Sequence, residues 1–168
     1  TLGNGSLSWG SSVQQNSDGS YAVLGSTRLG WNNTDWWVMN FYDHGGAAGN
    51  EKYDSNGYND YGESITNTIE NNYVMTGNFE TSPSQDFLHI LKVSADQVTV
   101  PIWDYTYTDY EGKGKSVIQT SDGGYVIAGL KYIDNTPSGF LMRLASDERP
   151  LDRIIMVANS TYDTYVYD

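Results

Sequence analysis

Six acidic or amide side chains in two short stretches could hold a cation through hard oxygen atoms. They are Asp54, Asn56 and Asp60 in "DSNGYND" and Asp104, Asp109 and Glu111 in "DYTYTDYEG". The first stretch follows the start of a calcium-loop pattern, but its twelfth position is Ile65 and the nearest glutamate is Glu63. The second stretch has no fixed spacing. We favour solvated acidic loops for both, and calcium is the ion expected if a metal binds.

A group of tryptophans beside a Gly/Asn-rich loop indicates a platform on which a sugar ring could stack. Trp31 lies in the loop, and Trp36 and Trp37 lie in the run "DWWVMNFY". Because side chains alternate between the two faces of a strand, Trp36 and Trp37 point to opposite faces and one of them belongs to the core. Trp31 and Trp36 are the candidates for carbohydrate stacking. The alternative, which we favour, is packing between neighbouring sheets.

The other chemistry-bearing residues argue against an enzyme. His44 lies in the turn "DHGG", and His89 lies in the predicted strand "DFLHILKV", where we expect a half-exposed ring. Asp35 and Asp86 occupy matching positions in two similar segments, and a residue that recurs in this way is more often structural than catalytic. A glycoside hydrolase would need two carboxylates across a sugar, yet no acidic residue lies in an apolar run that would raise its pKa. No Ser/His/Asp set is visible. We predict no catalytic residues.

Three Asn-x-Ser/Thr sites are candidates for glycosylation. They begin at Asn4, Asn32 and Asn159, in predicted loops or near strand ends where a glycan is tolerated. In a chain rich in Asn, Ser and Thr such sites also arise by chance, and this alternative stays open.

The chain is a tandem array with a period of 52 residues. The phrase "SDGSYAVLG" at 17–25 returns as "SDGGYVIAG" at 121–129, and "IENNYVMTG" at 69–77 is a degenerate copy. Three sets of residues keep this spacing exactly in register: Gly10, Gly62 and Gly114; Tyr21, Tyr73 and Tyr125; and Gly25, Gly77 and Gly129. We place the units at about 10–61, 62–113 and 114–168 of a single repeat domain.

Each unit contains four short runs rich in Val, Ile, Tyr, Trp and Thr, which predict strands. "DG", "GG" and "NN" between the first two runs supply the positive φ of a tight hairpin. No window has sustained helical spacing of apolar residues. The predicted fold is all-β, with three tandem four-stranded antiparallel units the size of propeller blades.

The repeat resembles the DGGY-type β-propeller repeats of secreted and surface proteins from bacteria and archaea. The resemblance is carried by "SSVQQNSDGSYAVLG" (11–25), "ESITNTIENNYVMTG" (63–77) and "KSVIQTSDGGYVIAG" (115–129), and it spans nearly the whole chain. It implies blade-like units but no particular function, because propellers support many functions on one scaffold. Three units are fewer than the four to eight blades of ordinary closed propellers.

The register predicts overhanging half-units at residues 1–9 and 157–168, so the chain begins and ends inside a unit. The chain starts at Thr, and we expect a mature or trimmed segment. Two partners could complete the half-units: further blades of a longer chain, or other copies of this chain joined head to tail by strand addition. A head-to-tail contact that does not close forms a filament.

Composition excludes several classes of function. The chain has a net charge of −12 and only 9 Lys plus Arg, which argues against nucleic acid and anionic lipid as partners. It has no cysteine, so zinc–thiolate sites are excluded, and it has no apolar stretch long enough for a membrane span. We predict a non-enzymatic extracellular or cell-surface structural or adhesive protein, a possible filament subunit. The alternatives are a carbohydrate-binding module of a larger secreted propeller and a fragment of a secreted glycoside hydrolase.

Overall fold

The computed structural model of the chain describes seven segments: residues 7–28, 33–54, 57–82, 85–133, 136–146, 153–157 and 164–166. For residues 109–110, 153–157 and 164–166 it describes the backbone alone. Within the described residues no helix occurs, and the all-β prediction is confirmed. That part of the chain accordingly contains no helix long and apolar enough to cross a membrane.

Twelve strands form in the described segments, and each pairs antiparallel with its sequence neighbour, apart from β4 and β5. The strands are β1 (Ser8–Gln15), β2 (Tyr21–Arg28), β3 (Thr34–Phe41), β4 (Ala47–Tyr53), β5 (Tyr61–Asn67), β6 (Asn72–Ser82), β7 (Gln85–Ser94), β8 (Pro101–Gln119), β9 (Tyr125–Ile133), β10 (Thr136–Leu144), β11 (Arg153–Val157) and β12 (Thr164–Val166). The first four make one sheet, and β5 to β12 make a second sheet in sequence order.

The second sheet is continuous because β8 serves two units. Its first part, Pro101–Glu111, pairs with β7, and its second part, Gly112–Gln119, pairs with β9. The sequence predicted two separate strands here. No tight-turn pair separates them, so the backbone stays extended from one unit into the next. Between units one and two, in contrast, Gly57 has a φ of 82° and the strand is interrupted.

Three four-stranded meanders follow from this pairing. Unit one is β1–β4, unit two is β5–β7 with the first part of β8, and unit three is the second part of β8 with β9–β11. The first hairpin of each unit contains a register shift at the same place, between Gly10 and Ser12, Gly62 and Ser64, and Gly114 and Ser116. The repeat seen in the sequence is therefore also a repeat of strand register.

The turns of these first hairpins use the residues that the sequence indicated. Gly19 and Gly123 have φ values of 88° and 83°, and Asn71 at the matching position of unit two has a φ of 58°. Asn tolerates this left-handed conformation better than most residues. In unit one the Asp18 carboxylate also accepts a hydrogen bond from the Ser20 backbone N–H at 2.9 Å, so the turn is closed by its own side chain.

The units bury apolar side chains by stacking sheet on sheet. We call the face of a unit that carries the tyrosine of the repeat phrase its leading face and the opposite face its trailing face. The trailing face of unit one packs on the leading face of unit two: Ala22, Leu24, Trp36 and Val38 against Ile65, Tyr73, Met75, Phe79, Leu91 and Val93. The trailing face of unit two packs on unit three in the same way: Val74, Leu88, Ile90 and Trp103 against Val117, Tyr125, Ile127, Phe140, Met142 and Leu144.

One polar contact recurs at both junctions. The backbone N–H of Ile65 donates to Ser12 Oγ at 3.3 Å, and the backbone N–H of Val117 donates to Ser64 Oγ at 3.2 Å. The two residues of each pair are 53 positions apart in the chain, so equivalent atoms form this hydrogen bond at both junctions. The two junctions are thus repeats of one stacking geometry.

Candidate functional site

The residues predicted as calcium ligands lie in separate environments. Asp54 Oδ1 accepts a hydrogen bond from the Gly57 N–H at 2.7 Å. Asp60 is fully buried and accepts from the Glu80 N–H at 2.9 Å. Asp104 pairs across strands with Leu91 in the middle of unit two. The stretch from Asp104 to Glu111 lies in β8, so the expectation of an acidic loop there is wrong. Asp54 and Asp60 therefore have structural hydrogen bonds of their own.

The remaining predicted ligands are placed only in part. Glu111 is exposed and pairs with Phe87, whereas Asn56 and the side chain of Asp109 lie outside the described residues. In the described segments no group of three or more His, Cys, Asp or Glu side chains could hold a metal ion. Calcium binding stays a prediction.

Trp36 belongs to the core and has no face free for a sugar ring. Its side chain is fully buried, and its Nε1–H donates to the Asn78 carbonyl oxygen at 3.1 Å. Its ring meets the rings of Phe79 and His89 edge to face. Packing between sheets, the alternative weighed for this residue, is its role. Trp31 and the three sequon asparagines, Asn4, Asn32 and Asn159, lie outside the described residues.

His89 is fully buried, and the expectation of a half-exposed ring is wrong. The ring stacks on Phe79 with centroids 3.6 Å apart, and its Nδ1 lies 2.8 Å from Thr106 Oγ1. Asp104 Oδ1 is 3.2 Å from Nε2 but lacks hydrogen-bond geometry. Burial lowers the pKa of His89 to about 3, because a charged imidazolium would lose its hydration. The ring is held neutral, away from any solvent-facing ligand.

His44 and Asp86 have local partners, whereas Asp35 is buried and its Oδ1 has no hydrogen-bond donor. The His44 ring is exposed in its turn, as predicted, and stacks on Tyr42. Burial raises the pKa of the Asp35 carboxyl, with a further contribution from Asp54. The expectation that no acidic residue has its pKa raised by an apolar run is therefore wrong for this residue. Asp86 forms an ion pair with Lys113 Nζ at 2.8 Å.

The leading face of unit one is open at Val13 and only partly covered around it. Val13 is 58 % exposed, whereas its counterparts Ile65 and Val117 are 1 % and 3 % exposed. Tyr21 is half-buried, whereas Tyr73 is 2 % exposed. The apolar side chains on this face are covered to different extents. Tyr21, Val23 and Phe41 are partly exposed, whereas Trp37 and Met39 are 6 % and 8 % exposed within the chain. They occupy the positions that units two and three bury against a neighbour.

The trailing face of unit three is open as well. Ile118, Leu130 and Tyr132 are 55 %, 37 % and 39 % exposed. Ala128 is exposed, whereas Thr76 and Leu24 at the matching positions are fully buried. The described part of the chain therefore ends in two uncovered sheet faces of complementary type.

A polar cavity of about 340 Å³ lies where the turns of units one and two meet. Its walls come from the first turns of both units and from the ends of β3 and β7: Asn16, Ser17, Asp18, Ser20, Asn40, Phe41, Tyr42, Ala48, Asn71, Tyr73, Ala95 and Asp96. Two buried acceptors among them, Asn16 Oδ1 and Asn40 Oδ1, have no hydrogen-bond donor. Our sequence interpretation missed this site. An alignment of the repeats pairs Asn40 with Lys92 of the next unit, and this replacement of a long side chain by a short one could have revealed the cavity.

No protein-family model matches this sequence, and a search of curated proteins finds no match.

Proposed function

We propose that this protein is a non-enzymatic structural repeat protein that assembles with further copies of itself by stacking its open end faces. The observation that carries the proposal is the leading face of unit one. It exposes Val13 and leaves Tyr21, Val23 and Phe41 partly exposed, at positions that are core in the two following units. Apolar surface that is exposed at positions of core type is typical of an interaction site.

The occupant we propose for this face is the trailing face of unit three of a second copy. Within one chain a trailing face already covers a leading face twice, with the same serine-to-backbone contact at each junction. A third junction between copies would continue that geometry and bury Val13 as Ile65 and Val117 are buried. Such a contact is head to tail, and it builds a ring if it closes and a filament if it does not.

Strand addition at the chain ends, the mode expected from the overhanging half-units, involves residues largely outside the described segments. Face stacking involves described residues and is compatible with it. An extracellular or surface location and glycosylation belong to the same proposal. They rest on the three sequons and on a sequence rich in Gly, Asn, Ser, Thr and Tyr, with 14 Tyr and 5 Trp, a composition common in extracellular β proteins.

The net charge of −12 sets the conditions for assembly. Copies of a strongly acidic chain repel one another, and salt screens this repulsion over about 8–10 Å. We therefore expect assembly to strengthen as NaCl is raised from low to physiological concentration. Assembly driven mainly by ion pairs would weaken instead.

The test is Val13→Lys, measured by sedimentation velocity over a range of concentrations and by electron microscopy. We expect association at least tenfold weaker than in the wild type, equivalent to about 1.4 kcal/mol, because a lysine ammonium would be buried at the new junction. The melting temperature of the single chain should stay unchanged, since Val13 is exposed there.

Ile69→Lys is the matched control. Ile69 is 80 % exposed in the turn between β5 and β6, outside both open faces, and the substitution changes the net charge equally. It should assemble like the wild type. A wild-type chain that stays monomeric at all concentrations, or equal weakening by both substitutions, would contradict the proposal.

A further inference from the structure

An acidic residue of the first turn faces a cation of the third strand in two of the three units. In unit two Lys92 Nζ lies 3.9 Å from Glu70 Oε2. In unit three the Arg143 guanidinium donates to the Asp122 carboxylate. In unit one the acidic residue is Asp18, 52 residues before Glu70. The third-strand residue there is Asn40, which carries no charge.

The strand register establishes that these third-strand residues are equivalent. Asn40 pairs with Ala22, and Lys92 pairs with Val74. Arg143 pairs with Val126 in the same way. Ala22, Val74 and Val126 are 52 residues apart. The absence of a cation in unit one is therefore a substitution at one structural position.

At the second junction, the Lys92 side chain lies between the sheets of units two and three. This side chain is 6 % exposed, and its ammonium lies 5.7 Å from the centroid of the Tyr125 ring of unit three. An ammonium near an aromatic face and a carboxylate is stabilised by both. The long stem of Lys92 also fills the junction between the two sheets.

The first junction presents the same surroundings without the lysine. Tyr73, Asp18 and Asn40, the counterparts of Tyr125, Glu70 and Lys92, all line the cavity. Asp96 adds a second carboxylate, and none of the twelve lining residues is Lys, Arg or His. Its volume of about 340 Å³ is at the lower end of the range of about 300–1,000 Å³ found for small-molecule sites.

We propose that this cavity binds a primary ammonium group on a short aliphatic stem, in the place that the Lys92 side chain takes at the next junction. The ammonium would lie between the Tyr73 ring and the carboxylates of Asp18 and Asp96. It has three N–H donors, and the carboxylates of Asp18 and Asp96, both on the wall of the cavity, are acceptors for them. An anion is disfavoured, since the walls carry negative charge only. The source is either a free small amine or a lysine side chain of another protein.

The first experiment titrates the wild-type chain with butylammonium chloride and, separately, with butanol, which has the same stem without the charge. Side-chain amide signals of Asn16 and Asn40 are followed by NMR. We expect saturable shifts with butylammonium and at least tenfold weaker binding of butanol. Equal binding of the two, or no shift at these amides, would overturn the proposal. The blocked amino acid Nα-acetyl-lysine methylamide then tests the source, and binding within threefold of butylammonium would assign a lysine side chain.

Two reciprocal substitutions make the test independent of any single variant. Asn40→Lys places the chain's own ammonium in the cavity and should abolish binding of butylammonium. Lys92→Asn should open an equivalent cavity at the second junction, so that two equivalents bind. Unchanged binding by a folded Asn40→Lys variant would overturn the proposal. A Lys92→Asn variant that still binds one equivalent would do the same. All titrations are made at concentrations where sedimentation velocity shows a monomer, so these readouts do not depend on self-assembly.

Discussion

Gly77→Ala is expected to destabilise the protein by about 3 kcal/mol or more, a loss at the upper end for single substitutions. A Cβ atom on Gly77 would lie 2.0 Å from the carbonyl oxygen of Tyr61 and 2.8 Å from Trp36 Cζ2. The first contact is with backbone of the paired strand, which cannot rotate away as a side chain can. Relief requires β5 to separate from β6 beside the core between units one and two. Urea denaturation followed by tryptophan fluorescence measures the loss.

Gly49→Ala is the matched control for this substitution. Gly49 lies in β4, is exposed, and has no atom within 4 Å of an added Cβ. Alanine there should leave the midpoint of denaturation within about 0.5 kcal/mol of the wild type, as for ordinary surface positions. Equal destabilisation by both substitutions would show that loss of glycine flexibility, rather than the close approach at Gly77, is responsible.

The second large effect is a loss of stability in mild acid caused by His89. The pKa of this histidine is lowered to about 3 in the folded chain, whereas an unfolded histidine has a pKa of about 6.5. The unfolded chain therefore binds the proton first. The stabilisation is complete above about pH 6.5 and falls by up to about 1.4 kcal/mol per pH unit below it. Between pH 7 and pH 5 we expect His89 to cost about 2 kcal/mol of unfolding free energy.

His89→Phe should remove most of this slope. Phe140 occupies the matching position in unit three, paired with Gly129 as His89 is paired with Gly77. The measurement is the unfolding free energy from urea denaturation at pH 7, 6 and 5 for both proteins. The two proteins are compared by the slope of unfolding free energy against pH. The free energy at pH 7 alone is not used, because phenylalanine also changes the packing there.

Asp104 is the titrating group nearest to this ring, and burial raises its pKa. The effect of Asp104 on the pH dependence of stability is opposite to that of His89. A carboxyl whose pKa is raised in the folded chain takes up its proton there first, so the folded protein becomes more stable as the pH falls. Asp104 remains in the variant, so the difference in slope reports on His89. Equal slopes in the two proteins would show that the buried ring does not control the acid response.

Much of the local structure could be predicted from the sequence because it depends on neighbours along the chain. The Asp-Gly and Asn-Asn pairs predicted tight turns, and Gly19, Asn71 and Gly123 have the positive φ that such turns need. The spacing of 52 residues predicted the repeated strands, because the same pattern folds by the same local rules each time. Alternation within β3 placed Trp36 and Trp37 on opposite faces, and this is confirmed.

Burial and the candidate sites depended on contacts between units, which no single repeat contains. His89 and Trp36 became core residues because a neighbouring sheet covers them, and Val13 stayed exposed because none of the described residues covers it. The cavity arises from one short side chain, Asn40, where the next unit has a lysine. The sequence by itself thus determined the repeat, its strands and its turns through short-range preferences. Only the tertiary structure decided which faces are buried and which are open, because burial is a property of stacked sheets.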